Sequence, residues 1–388
     1  MSDRQPKQRA VHYFDHAATS WPRPPEVVEA VARGLTEYGG SPGRGAYELA
    51  MRSARALFDA RQTFARFLGA PHAEDVIIVP SCTWACNLML QGLLRPGDRV
   101  VVGSMEHNAV VRPLSALAAL GVEVVVVDAE TTGFVDPDDV ERAVKAAPTR
   151  AVVCQHASNV TGTIQYVGDL ADIAHEHDAV MLVDGAQAVG HIPVDVRALG
   201  VDAYAVPGHK ALLGPPGIGL LWLSERAQPD PLVLGGTGSG SSETEAMPTR
   251  RPERFEAGTA NVPAALGLAA GMEVRAADPD ASARESELAM RVLEGLSAIP
   301  GVRVLGPGSE VPRVPVVSFV HERVEADRLA FELDRRWGIA CRAGLHCAPW
   351  AHRTLGSFEG GAVRISVGWS TTGADVDALL TAFRNVLA

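Results

Sequence analysis

No apolar run in this 388-residue sequence approaches the roughly 18 residues of a membrane-spanning helix. Cysteine is scarce, with five in the chain, at positions 82, 86, 154, 341 and 347. So few over such a length give no disulfide framework, which leaves them as core residues or nucleophiles in a reducing compartment. Positive charge is also short: 35 Lys and Arg face 46 Asp and Glu, for a net charge of −11. That balance argues against a nucleic-acid-binding surface or a polybasic membrane anchor. The N-terminus, MSDRQPKQRAVHYFD, has no apolar signal core, so the expectation is a cytoplasmic protein with no nucleic-acid or membrane partner. The glycine-rich stretch Gly235 to Ser241 lacks the G-K-[ST] ending of a phosphate-binding P-loop and no clear helix follows it. A nucleotide site is rejected there, and a mobile loop over the mouth of a site is expected instead.

Against these absences stands a hydrophobic content of 47%, enough for a sizeable core, and a length that favours two or three domains. Ala46 to Gly69 carries apolar residues at helical spacing and reads as an amphipathic helix. From Val76, short apolar runs alternate with helical segments: VIIVP, RVVVG (99–103), VEVVVV (122–127), AVVCQ, AVMLV (179–183) and DAYAV (202–206). That alternation predicts right-handed βαβ crossovers and a mainly parallel sheet, with GIGLLWL (217–223) adding one more strand. Beyond Asn261 the helical run Pro263 to Ala277 leads to a second unit. It has helices at Ala281 to Ala298, Glu325 to Trp337 and from Ala374, and strands at 302–305, 314–320 and 362–368. The predicted fold class is α/β. A large domain at 16–264 holds the mainly parallel sheet, and 265–388, joined by 1–15, forms a smaller α+β domain.

The stretch Ala179 to Lys210 places chemistry on this frame. Asp184 ends one apolar run and Lys210 follows the next, 26 positions on (210 − 184). In an open parallel sheet, ligands bind beyond the carboxyl ends of the strands. An acid and a lysine delivered there suit pyridoxal 5′-phosphate, which needs a Lys for its Schiff base and an acid against its pyridinium nitrogen. A lone Asp after a strand is more often a turn former and a lone Lys more often solvated. Their placement on neighbouring strand ends, with Gln187 and His209 alongside, reverses that. Ser81-Cys82-Thr83 stands between a strand and the helix Trp84 to Leu94. It either holds a phosphate on helix N–H groups and the Thr83 hydroxyl or forms an ordinary N-cap. His107 follows the next strand and reaches the same rim, as a ligand contact or as a buried structural histidine. In Asp15-His16-Ala17-Ala18-Thr19 the small residues allow close backbone approach, which a plain turn also explains.

VDGAQAVGHIPVDV followed by GHKALLGPPGIG resembles the class V aminotransferase group of fold-type I pyridoxal phosphate enzymes. Arg342 to Pro349, RAGLHCAP, resembles the R-[TA]-G-x-H-C-A segment of group II cysteine desulfurases, close to selenocysteine lyases. The resemblance runs from about Tyr13 to the last helix. It implies a fold-type I transferase with Lys210 and Asp184 on the cofactor and His107 stacked on its ring. Asn159 then stands near the ring hydroxyl and Gln187 on a ring oxygen, with Cys82, Thr83 and His209 among the cofactor contacts. Thr259 matches a threonine that reaches the phosphate of a partner subunit, which implies a homodimer.

For the substrate, the resemblance implies contacts from Ala17, Ala18 and Asn159. Arg364 clamps the carboxylate by two parallel hydrogen bonds, and Arg342 joins it at the substrate side. Cys347 takes the sulfur, its thiolate promoted by Arg342 and His346. The implied reaction converts L-cysteine to L-alanine through an enzyme persulfide, passing sulfur to an acceptor protein or small thiol. Selenocysteine lyase or other C–S lyase activity, or a class V aminotransferase or epimerase, would use the same cofactor site. From another class altogether, Cys82, Cys86, Cys341, Cys347 and His346 would make a metal carrier, but C-x₃-C and C-x₅-C match structural zinc spacings poorly. Three features depart from the family pattern: Pro207 where Ser or Thr is usual, Tyr47 near a frequent His, and VRISVGW at 363–369.

Overall fold

The computed structural model describes residues 11–238 and 245–387. Residues 1–10, and Ser239, Gly240 and Ser241 of the glycine-rich stretch, lie outside the described residues. The chain opens with strand β1 (His12–Tyr13) and helices α1 (Pro25–Glu37) and α2 (Glu48–Leu68). It then alternates through β2 (Val76–Val79), α3 (Cys82–Leu93), β3 (Arg99–Gly103), α4 (Asn108–Ala119), β4 (Glu123–Val127) and α5 (Pro137–Lys145). β5 (Ala151–Gln155), α6 (Val167–Glu176), β6 (Val180–Asp184), β7 (Ala203–Pro207) and β8 (Gly219–Leu223) complete the first sheet.

Seven strands pair in the order β2-β8-β7-β6-β5-β3-β4. β7, β6, β5, β3 and β4 run parallel, as the βαβ alternation predicts. β8 is antiparallel to both β7 and β2. β2 therefore points the same way as the parallel strands, and all their carboxyl ends share one rim. The central strands are near-continuous apolar runs because both faces of the sheet are covered. Val101, Val152 and Met181 pack on one face with Phe64, Leu170 and Leu268. Val100, Val102, Val153 and Leu182 pack on the other with Leu88, Val110 and Leu114.

Helix α7 (Val262–Ala277) packs on α1 and α2, and the expected division between residues 264 and 265 falls inside it. There follow α8 (Ala281–Ser297), β9 (Val302–Leu305), β10 (Val316–His321), α9 (Ala326–Glu332), β11 (Ile339–Ala340) and β12 (Arg342–Gly344). The chain closes with α10 (Pro349–Thr354), β13 (Ala362–Ser366) and α11 (Gly373–Leu387). β12-β13-β10-β9 form an antiparallel sheet, consistent with the α+β expectation. Its core gathers Leu288, Val292, Leu333 and an edge-to-face pair, Phe319 and Phe383, with ring centroids 5.3 Å apart. β1 pairs in parallel with β11, which buries Phe14 in that same core. The next residues, Asp15 to Thr19, pass from there to the rim of the large sheet.

Candidate active site

The rim of the large sheet, capped by the 342–347 turn and β13, encloses a cavity of about 210 Å³. Asp184, Gln187, Lys210, His209, His107, Asn159, Cys82 and Thr83 all line it, as do Ala17, Ala18, Arg342 and Arg364. The structure thus brings together residues that the sequence spreads over more than three hundred positions.

Asp184 is the last residue of β6 and is buried. One of its oxygens, Oδ1, accepts from the Ala186 N–H (3.0 Å) and lies 3.5 Å from the Cys82 sulfur. The Cys82 thiol is lowered by its hydrogen bond with Cys86 but raised more by burial and by Asp184, and ends above its ordinary value. It is therefore the proton donor of that contact. Gly185 must lack a side chain, because a Cβ there would stand 2.0 Å from the Tyr204 ring. Lys210 follows β7 in the tight connection to β8. Burial lowers its ammonium below the ordinary lysine value, and Arg364 and Arg342 act in the same direction against the pull of Asp184. A lysine so placed gives up its proton more readily than a surface one.

Ser81 is the N-cap of α3: its hydroxyl accepts from the Trp84 N–H (3.2 Å), so the Ser81-Cys82-Thr83 turn is a helix N-terminus facing the cavity. His107 caps α4 in the same manner, its Nδ1 accepting from the Ala109 N–H at 3.0 Å. Burial and then Lys210 push His107 down to about 4, so the ring is neutral near pH 7 and its hydrogen sits on Nε2. His209, also lowered to about 4 by burial and by Lys210, has its Nδ1 3.1 Å from the Thr19 hydroxyl.

Ala17 is held from both sides. The Ser366 hydroxyl accepts from its N–H (2.9 Å), and Gln187 Nε2 donates to its carbonyl (2.9 Å). Arg364 is 1% exposed on β13; its Nη2 meets Asp15 Oδ1 at 2.7 Å and its Nη1 donates to the Asn159 carbonyl (3.2 Å). Burial lowers Arg364, and Asp15 opposes that. Cys347 is exposed beside the cavity rather than lining it, with its sulfur 3.2 Å from Arg342 Nη2. Thr259 is exposed and is not among the residues that line this cavity, and Tyr47 is exposed. Pro207 lines the cavity and offers no hydroxyl. In the irregular segment the carbonyls of Gly236 and Gly258 accept from Arg44. Among the described residues, close metal-ligating groups are Cys82, Cys86, Asp184 and Glu141, Glu176, His177, and neither set includes Cys341, His346 or Cys347.

Sequence reasoning missed Asp15 as the partner of Arg364 and Ser366 as the anchor of Ala17. It also passed over Glu106, whose fully buried carboxyl accepts from the Gln155 N–H (2.8 Å) and is pushed well up by burial. The one available signal was that an arginine on an apolar strand needs a partner.

This fold and rim of residues define a member of a known class. The profile of the family described as aminotransferase class-V matches residues 12–379, and the chain belongs to that family, whose members depend on pyridoxal phosphate. A probable cysteine desulfurase of Methanothermobacter thermautotrophicus is 37% identical over 377 residues, covering 95% of this chain and 93% of the relative. A probable cysteine desulfurase of Halalkalibacterium halodurans is 34% identical, over 95% of this chain and 91% of its own length. Among solved structures, a cysteine desulfurase from Thermococcus onnurineus superposes with a TM-score of 0.90 at 32% identity, covering 97% of this chain and 94% of that one. One from Escherichia coli gives a TM-score of 0.85 at 30% identity, with the same coverage.

Proposed function

We propose that this protein is a pyridoxal 5′-phosphate-dependent cysteine desulfurase that converts L-cysteine to L-alanine and takes the sulfur onto Cys347. The observation that carries this reading is the thiol of Cys347, on a turn at the cavity mouth with the Arg342 guanidinium 3.2 Å away. The many relatives named cysteine desulfurase agree with it.

The cavity residues fit the cofactor. Asn159 Oδ1, Gln187 Oε1 and Arg364 Nε are buried without a hydrogen-bond partner among the described residues, so each is free for a bound polar group. Lys210 would hold the cofactor covalently, Asp184 would face its ring nitrogen, and His107 its ring face. Asn159 and Gln187 would meet its ring oxygen, and Cys82, Thr83 and His209 complete its contacts. When bound, pyridoxal phosphate supplies an electron sink that stabilises negative charge at the substrate α-carbon.

The chain's own groups do the rest. Arg364, oriented by Asp15, holds the substrate carboxylate, with Arg342, Asn159 and the Ala17-Ala18 backbone at the same side. Lys210 moves the α-proton; its lowered basicity suits a group that must both take and return one. Cys347 thiolate attacks the substrate sulfur: an S–S bond forms, the Cβ–S bond breaks, and its electron pair stays with carbon, which takes up a proton to become alanine. An outside thiol or acceptor protein then removes the sulfane sulfur from Cys347.

Two wider features belong to the same proposal. α1 and α2 present Leu35, Met51 and Phe58 to the surface, and Thr259 is exposed and does not line its own cavity. This supports a homodimer in which Thr259 reaches the partner's cofactor phosphate. Five free cysteines and the absence of a helix long and apolar enough to cross a membrane, among the described residues, favour a reducing cytoplasm. The test is to assay the purified holoenzyme for alanine and sulfide from L-cysteine, beside a panel of amino-group acceptors. Alanine in proportion to sulfide supports the proposal; transamination without sulfide overturns it.

A further inference from the structure

We propose that His352 is a positioning residue for Cys347, acting through a one-directional hydrogen-bond chain from Ser357 through His352 and His346 to the carbonyl of Arg342. The inference deepens the desulfurase reading and rests on it for the role of Cys347.

The turn needs such a hold. His346 and Cys347 have φ of 51° and 57°, two consecutive non-glycine residues in the left-handed region, where backbone energy is unfavourable. Strained conformations of this kind persist only where surrounding contacts over-determine them. Two contacts hold the backbone: Asn159 Nδ2 donates to the His346 carbonyl and the Asn108 N–H to the Cys347 carbonyl, each at 2.8 Å. The third hold runs through side chains. His346 Nε2 lies 3.4 Å from the Arg342 carbonyl, His346 Nδ1 lies 3.2 Å from His352 Nε2, and His352 Nδ1 lies 2.8 Å from the Ser357 hydroxyl.

The direction of this chain follows from its end. Burial, reinforced by Arg364, holds His346 well below its ordinary value and His352 at about 4, so both rings are neutral near pH 7. A neutral imidazole has one donor and one acceptor nitrogen. The Arg342 carbonyl only accepts, so His346 Nε2 carries the hydrogen and Nδ1 is the acceptor. His352 must then donate from Nε2 and accept at Nδ1, which makes the Ser357 hydroxyl the first donor. His352 is 0% exposed, and it lies one helical turn past Ala348, the N-cap of α10, to whose carbonyl its N–H donates. The chain therefore fixes the main chain of Arg342, the residue whose guanidinium stands beside the Cys347 sulfur. That guanidinium donates to the sulfur at 3.2 Å, so where it stands decides how the Cys347 side chain is presented.

The experiment compares holoenzyme of wild type with His352→Phe, His352→Gln and Ser357→Ala. Glutamine keeps an N–H donor where His352 has Nε2; phenylalanine keeps the volume and loses both nitrogens. Three quantities are read: iodoacetamide labelling of Cys347 by peptide mass spectrometry at fixed pH, kcat and KM for alanine formation, and cofactor absorbance. We expect His352→Phe to label Cys347 about 10-fold more slowly and to lose about 10-fold in kcat, with KM within about twofold and the cofactor retained. His352→Gln should stay within about threefold of wild type in labelling and in kcat. Wild-type labelling in His352→Phe, or equal impairment in Phe and Gln variants, overturns the proposal in favour of simple packing. Should His352→Phe fail to fold, Ser357→Ala decides: labelling slowed about threefold supports the chain, and unchanged labelling refutes it. If wild type makes no alanine from cysteine, the desulfurase reading fails, while the labelling arm still decides the role of His352.

Discussion

The backbone N–H of Asn108 donates to the carbonyl oxygen of Cys347 across 2.8 Å. Asn108 is the first residue of α4 and directly follows His107, which caps that helix and faces the cavity. The turn that carries the thiol is thus pinned to the rim that carries the cavity-lining His107. The exposed thiol and the cavity rim are held in one frame although Asn108 and Cys347 lie far apart in the sequence.

Lys210 is the only lysine that lines the cavity among the described residues. Borohydride reduction of the holoenzyme followed by peptide mapping should place the pyridoxyl label on Lys210, and Lys210→Ala should carry none. A label on Lys145, an exposed partner of Glu141 on α5, would contradict the assignment.

Arg364 and Asp15 make the second prediction. Arg364→Lys keeps the charge but loses the planar fork, so kcat/KM for cysteine should fall about 100-fold, chiefly through KM. Asp15→Asn leaves the guanidinium in place but frees its orientation, and a smaller loss of about 10-fold is expected. Steady-state alanine formation measures both. An Arg364→Lys variant with the KM of wild type would remove Arg364 from the substrate carboxylate.

How far this site could be read in the sequence depended on what each contact spans. Asp184 and Lys210 were legible because each stands at, or within three residues of, the end of a buried apolar strand, which fixes the end of the sheet it occupies. Cys347 and Arg364 were legible through short motifs. The pairing of Arg364 with Asp15 was not, because it rests on β1, a two-residue strand too short to show any periodicity, pairing with β11 far along the chain. His352 was equally silent, since on α10 it has the look of any helix residue. The antiparallel direction of β8 is not encoded in its apolar run either, although the connection after β7 is too short for a crossover helix.

A buried ion cluster behind the site predicts how stability varies with pH. Glu285 receives both guanidinium nitrogens of Arg275, and its Oε2 lies 2.8 Å from His191 Nδ1. Burial alone would raise this carboxyl; the hydrogen bonds from Arg275 and His191 outweigh it and take it from 4.5 to about 2. A depressed carboxyl stabilises the fold above its unfolded value and loses that contribution as pH falls through the folded one. The term, about 3 kcal/mol, is thus present above pH 4.5 and fades toward pH 2. Glu285→Gln should cost about 3 to 5 kcal/mol at pH 7 and clearly less at pH 3, by denaturant unfolding at each pH. An equal loss at both would show that the charge of Glu285 is not what stabilises the fold.

The central claim is that sulfur leaves the substrate onto Cys347, and Cys347→Ser tests it most directly. In the proposed function Lys210 and Asp184 would serve every reaction of the cofactor, so their loss would say nothing about the leaving atom. A serine hydroxyl keeps size and polarity but is hardly ionised near neutral pH, and so is a far weaker nucleophile. Wild type and variant holoenzyme are each given L-cysteine, alanine is measured, and the protein is weighed by intact mass spectrometry. The account predicts one added sulfur on wild type, none on the variant, and loss of alanine formation in a variant that still binds pyridoxal phosphate. Alanine made by Cys347→Ser at the wild-type rate would contradict it.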